Sequence, residues 1–203
     1  QGAFDLSYLR HIPDLVVMAP KDASELKTMM SLALTINGPS AIRYPRGKAR
    51  FDSPSGTHFE VGEGETLKPG NDMAILAIGN TVRPALEASA KLETEGINAM
   101  VLNMRFVKPL DKGLIAKAAE TGKIVTVEEN SVMGGFGSAV LEALQEMGIK
   151  GVEVKALGLP DNFIEQGTQA ELRKKYALDA DGIYKSALAF SEVPRIQKSK
   201  SAF

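Results

Sequence analysis

The 203-residue chain contains no cysteine, which excludes disulfides, thiolate zinc sites and a cysteine nucleophile. It has only two histidines, His11 and His58, too far apart for an HExxH-type metal spacing. Neither sign of charge dominates: Lys and Arg number 24, Asp and Glu 25, and the formal net charge is −1. Nothing in that balance points to a polyanion such as nucleic acid. No apolar run reaches the roughly 18 residues that a membrane span needs. The N-terminus, QGAFDLSYLR, lacks a starting Met and the charged-then-apolar layout of a signal peptide. These absences lead us to expect a soluble, cytoplasmic chain that starts within something longer and has neither a nucleic-acid nor a membrane partner.

What is present is a chain with 44% apolar residues, enough for a substantial core. DLVVMAP (14–20) is a short apolar run closed by Pro20, which reads as a buried strand. Asp22-Ala-Ser-Glu25 follows in capping-box order, and Leu26, Met29, Met30 and Ala33 recur at helical spacing. Asn37-Gly38-Pro39 stops that helix, and Ser40 to Tyr44 reads as a second strand. This strand–helix–strand unit has no evident way to complete a sheet by itself. Residues 48–72 are rich in Gly, Ser, Pro and charge and read as a linker, with EGETL as a short edge strand.

From Met73 the pattern alternates regularly between strands and helices. Strands fall at MAILAIG, INAMVLNM, KIVTVEEN and VEVKALGL, with helices between and after them. That alternation predicts an α/β fold with a mainly parallel, doubly wound sheet over 73–203. It also leads us to expect 73–203 to fold autonomously, with 14–44 as an incomplete satellite.

Several stretches carry candidate chemistry. MGGFGSAV (133–140) opens a helix after a strand but matches neither GxGxxG nor the Walker pattern, so a tight turn with close packing is the preferred reading. Glu128 and Glu129 end a strand and point apart, making a poor acid/base pair; a solvated strand end or a helix-capping contact is preferred. Arg105 and Lys108 are expected at a surface or subunit contact, and His11 as structural or exposed. In AIRYPRG (41–47), Arg43 and Arg46 are three apart, so on an extended chain they face opposite ways. Pro45 marks the strand end, so one arginine serves the fold and the other is free to meet a ligand.

QGAFDLSYLRHIP, MAPKD, GPSAIRYPRG, RFVKPLD, VEENSVMGGFGSAV and LGLPDNFIEQG occur in that order. Together they resemble the 1-deoxy-D-xylulose-5-phosphate synthases, thiamine-diphosphate enzymes of the transketolase superfamily. The resemblance covers the C-terminal part of the family protein. It assigns 1–47 to the end of a pyrimidine-binding domain, as a partial βαβ segment, and 73–203 to a transketolase C-terminal domain. More distantly, 73–203 is similar to transketolases and to the beta-subunits of two-oxoacid dehydrogenases; a free-standing, non-catalytic association domain is the alternative of another class.

The resemblance implies a reaction in which pyruvate is decarboxylated and joined to glyceraldehyde 3-phosphate. Thiamine diphosphate with Mg2+ serves as electron sink, and the product feeds isoprenoid, thiamine and pyridoxal synthesis. It also implies a homodimer. The family's GDG…N diphosphate–magnesium motif and its activating glutamate are missing here, and its DGxTH stretch would precede Gln1. The segment alone is therefore expected to hold no catalytic residue or metal, to bind no cofactor and to be inactive. The last arginine of YPRG, Arg46, is implied to bind the phosphate of glyceraldehyde 3-phosphate, and Arg43 to be structural.

Overall fold

The computed structural model describes residues 2–47 and 58–192. Part of the expected linker, 48–57, lies outside them. The N-terminal elements are α1 (Asp5–Arg10), β1 (Val16–Met18), α2 (Ala23–Ala33) and β2 (Ser40–Ile42). Then come β3 (Glu65–Lys68), β4 (Met73–Ala77), α3 (Val82–Thr94), β5 (Ala99–Asn103), β6 (Phe106–Lys108) and α4 (Lys112–Ala119). The chain continues with β7 (Lys123–Ser131), α5 (Phe136–Glu146), β8 (Glu153–Leu159), α6 (Gln169–Lys175) and α7 (Ala180–Ser191).

Five strands form the main sheet in the order β3-β5-β4-β7-β8. All its pairings are parallel except β3 with β5, so the EGETL stretch is an antiparallel edge strand. The sheet is covered on both sides, which is why its central strand β4 reads as an unbroken apolar run and β5 nearly so. Along β4 the side chains alternate between two cores. Met73, Ile75 and Ala77 pack toward Leu92 of α3 and Ile183 of α7. Ala74 and Leu76 pack toward Ile115 of α4 and Val140 of α5. Each fully buried Leu or Ile contributes about 1.5–3 kcal/mol.

The strand–helix–strand unit does not stand apart as a satellite. β1 pairs in parallel with β2 and antiparallel with β6, giving a second sheet of order β2-β1-β6. The missing strand is thus supplied by RFVK, directly after β5. Leu6, Leu15 and Val17 also enter the same core as Leu76 and Val140. On the other side of the small sheet, Met18, Met29, Phe59 and Phe106 cluster, with the two Phe rings edge-to-face at 6.1 Å.

Arg105 departs from the surface role expected for it. It is 3% exposed, at the corner between β5 and β6, in left-handed backbone (φ 47°). Its Nε donates to Glu25 Oε1 at 2.6 Å and its Nη2 to Glu65 Oε2 at 3.0 Å. The guanidinium also lies 4.2 Å from the Phe59 ring centre. Lys21 pairs with both glutamates, and Asn103 donates to both. Two cations and two carboxylates therefore balance where α2, β3 and β5 meet. Lys108 donates to the Ile12 carbonyl of the same chain at 2.5 Å.

Candidate functional site

A cleft of about 950 Å³ opens at the carboxyl ends of β2, β7 and β8. Strand ends of parallel sheets are where α/β folds gather ligands. Arg43 and Arg46 reach it from the segment after β2, Glu129 from β7, and Gln169 and Arg173 from α6.

The two arginines of AIRYPRG have different surroundings. The Arg43 side chain is 12% exposed, and its Nη2 donates to the Glu129 carbonyl at 3.0 Å and to the Gly2 carbonyl at 3.5 Å. Its backbone N–H continues the ladder by donating to the Met18 carbonyl. Arg43 thus ties β2 to β7 and to the N-terminal segment. Arg46 is exposed at the cleft and has no ion-pair partner among the described residues. Pro45 fixes the local φ, which lowers the entropic cost of holding that charge in place.

Glu129 is the hub of the cleft. Its Oε2 accepts from Arg173 Nε at 2.7 Å and from Asn80 Nδ2, and its Oε1 lies 3.9 Å from Arg43 Nη2. Arg173 Nη2 in turn donates to Gln169 Oε1 at 3.2 Å, and Gln169 Nε2 donates to the Arg46 carbonyl at 2.7 Å. Glu165 also lines the cleft, but its charge is matched by Lys175. Hydrogen bonds from Lys175 and Tyr176 hold its carboxyl down to about 2. Among the described lining residues, Arg43, Arg46 and Arg173 outnumber the remaining anions Glu129 and Asp5, a positive excess suited to an anionic ligand.

Glu128, one residue earlier, faces the opposite side of the sheet. It is fully buried and caps α5, accepting from Phe136 N at 2.7 Å and Gly137 N at 2.8 Å. This is the capping contact, not the solvated strand end. It also decides the role of MGGFG, because the helix N-terminus already holds a carboxylate. Gly134 takes a left-handed turn (φ +67°). A Cβ on Gly137 would lie 2.7 Å from Thr126 Oγ1 and 3.1 Å from Ala156 Cβ, so glycine there permits close helix–sheet contact. His11 is exposed.

Sequence reasoning picked out Arg46 but missed Glu129, Gln169 and Arg173 as its neighbours. The available signal was positional: QAELR directly follows the loop after the last strand, and residues four apart on a helix share a face. Nothing local pairs that helix with YPRG, more than a hundred residues earlier.

Comparison with known proteins gives a consistent assignment. Residues 62–183 match the transketolase C-terminal domain, and residues 1–52 match the transketolase pyrimidine-binding domain. The chain is 54% identical over 185 residues to 1-deoxy-D-xylulose-5-phosphate synthase 1 of Geobacter metallireducens, covering 90% of this chain and 30% of that protein. It is 48% identical over 202 residues to the 1-deoxy-D-xylulose-5-phosphate synthase of Heliobacterium modesticaldum, covering 98% and 31%. The chain thus spans about 30% of the length of these curated relatives. A solved structure described as a split-gene transketolase, an inactive beta4 tetramer, superimposes with a TM-score of 0.87 at 37% identity, covering 93% of this chain and 62% of that one. Transketolase from Campylobacter jejuni shares the fold, with a TM-score of 0.69 at 20% identity over 91% of this chain and 27% of that one. The chain belongs to the transketolase family, carrying residues of its pyrimidine-binding domain ahead of its C-terminal domain, and it is about half identical to part of 1-deoxy-D-xylulose-5-phosphate synthases.

Proposed function

We propose that this chain is the C-terminal part of a cytoplasmic, homodimeric 1-deoxy-D-xylulose-5-phosphate synthase. The intact protein joins pyruvate, with loss of carbon dioxide, to glyceraldehyde 3-phosphate, for isoprenoid, thiamine and pyridoxal synthesis. Bound thiamine diphosphate with Mg2+ supplies the electron sink for that chemistry. Among the described residues no group of three or more His, Asp or Glu side chains could hold a metal ion. These residues do not fit the metal–diphosphate end of the cofactor. By residue, we propose 1–47 as pyrimidine-binding domain, 48–72 as linker and 73–203 as C-terminal domain.

The observation that carries this reading is Arg46, exposed in a positive cleft with no carboxylate partner among the described residues. Its planar fork matches phosphate oxygens in a way an ammonium cannot. Its role is to hold the phosphate of glyceraldehyde 3-phosphate while the aldehyde reacts elsewhere. The likeness to an inactive beta4 tetramer supports a narrower second reading, that this segment by itself serves assembly and not catalysis.

In a full-length synthase carrying this segment, Arg46→Ala is expected to raise KM for glyceraldehyde 3-phosphate far more than KM for pyruvate. A lost charge-assisted contact costs about 1.5–3 kcal/mol, or roughly 10- to 150-fold. The loss falls on KM if the phosphate is held equally in ground and transition states. Arg46→Lys should recover only part of it. Arg43→Ala is the control: it should lower stability or yield while raising the aldehyde KM of the folded fraction far less than Arg46→Ala does. The opposite pattern, with Arg43→Ala raising that KM and Arg46→Ala not, reverses the assignment.

A further inference from the structure

The Gln169 side chain spans two cationic elements that the sequence places far apart. Its Oε1 accepts from Arg173 Nη2 at 3.2 Å, and its Nε2 donates to the Arg46 carbonyl at 2.7 Å. The reverse amide orientation would set donor against donor and acceptor against acceptor, so the two neighbours fix it. Gln169 is the first residue of α6, one turn ahead of Arg173 on the same helix face. The helix start is itself fixed by a capping box, in which Thr168 Oγ1 accepts from Glu171 N and Glu171 Oε2 from Thr168 N.

With Nε held by Glu129 and Nη2 by Gln169, the Arg173 guanidinium has little rotational freedom. Its remaining nitrogen, Nη1, has no hydrogen-bond partner among the described residues, and the residue lines the cleft. The Gln169 bond to the Arg46 carbonyl meanwhile anchors the backbone of the other cation. One neutral amide therefore links the Arg173 guanidinium to the Arg46 backbone and adds no charge that would compete with an anion.

We infer that Gln169 is a positioning residue that yokes Arg173 to Arg46, so that the two guanidiniums close on one phosphate monoester. The inference rests on the phosphate reading of Arg46 and extends it to selectivity. Two oriented cations favour a dianionic phosphate over an uncharged end group, and loosening one of them erodes that preference first.

The test measures kcat/KM for glyceraldehyde 3-phosphate and for unphosphorylated glyceraldehyde in a full-length synthase carrying this segment. Gln169→Ala and Gln169→Met are each expected to lower the selectivity ratio roughly three- to tenfold, the scale of one hydrogen bond felt indirectly through the arginine it orients. Met keeps the length of the side chain, so agreement between the two variants assigns the effect to the amide. Gln169→Glu is expected to lower the ratio further, because its carboxylate neutralises Arg173 and faces the Arg46 carbonyl. In an Arg173→Ala background, Gln169→Ala is expected to cost less than it does in the parent, since only its bond to the Arg46 carbonyl is left to lose.

The inference is overturned if Gln169→Ala leaves the ratio unchanged while Arg46→Ala lowers it; the phosphate reading then stands alone. It is also overturned if the single and double variants add independently. If Arg46→Ala itself leaves the ratio unchanged, the phosphate reading fails and the yoke fails with it.

Discussion

Glu128 and Glu129 are adjacent in sequence, yet the pleat of β7 sends them to different environments. Glu129 meets arginines in the cleft; Glu128 meets the N-terminus of α5 and the Asn130 side chain. Burial outweighs the two backbone N–H donors and pushes the Glu128 carboxyl up to about 7. Its folded value therefore lies above its unfolded one, the reverse of a salt-bridged carboxylate. Between the ordinary carboxylate range and about pH 7 the folded state holds a proton that the unfolded state releases. Stability is thus expected to fall as pH rises through that window. The site's contribution approaches about 3 kcal/mol, at roughly 1.4 kcal/mol per pH unit of displacement. Glu128→Gln removes the titration, so denaturation midpoints of the parent and variant should diverge between pH 5 and about pH 7 and then run parallel, with the parent losing ground. Parallel midpoints would show that the site does not titrate in this window. Parent gaining on variant as pH rises would show that the helix N-terminus, not burial, dominates. That the two carboxylates point apart was readable from VEEN. Which one met a helix and which met arginines depended on α5 and α6, whose positions no local pattern encodes.

At the scale of elements, legibility followed burial. β4 and β5 were readable because strands covered on both faces run apolar, β7 and β8 because a shorter apolar stretch recurs at the same spacing, and several helices begin with Asp or Thr caps such as Asp111, Thr168 and Asp179. The helix α1 and the strand β6 were not. α1 has six residues with one buried side chain, and Phe4 and Tyr8 remain exposed. β6 has three residues beside charged neighbours, and its partner β1 lies some ninety residues earlier. What fixes β6 is the corner at Arg105, held by Glu25 and Glu65. Removing one partner of a buried ion pair costs about 3–5 kcal/mol, because the other charge is left without compensation. Arg105→Ala is expected to destabilise the chain on that scale in urea denaturation. Glu25→Gln combined with Arg105→Met should recover much of the loss by removing both charges. If the double variant is as unstable as the sum of its single changes, the ion pair is not what holds the corner.

Across the whole molecule, the question is whether the two family domains also fold as two units. The regular β/α alternation after Met73 suggested an autonomous unit, because it supplies four parallel strands and covers both of their faces. Several connections cross that division. β3 closes the edge of the main sheet against β5, and β6 pairs with β1. Asn130 at the end of β7 accepts from Leu6 N at 3.1 Å and donates to Ser7 Oγ at 2.8 Å. Leu6, Leu15 and Val17 fill a core whose other wall is β4 and α5. A chain starting near Gly70 loses all of these, exposing β6 and an apolar face together. Such a strand edge invites pairing with other chains. The 203-residue chain is therefore expected to unfold in one transition, and the truncated chain to unfold at lower denaturant and to aggregate. A start near Val61 that keeps β3 should recover part of the difference, by restoring the sheet edge and Glu65 opposite Arg105. Identical denaturation midpoints for the truncated and complete chains would show instead that the C-terminal core stands alone. The N-terminal residues would then be docked on a finished domain, and the cleft between Arg46 and Arg173 would be an interface between two folding units rather than a feature of one.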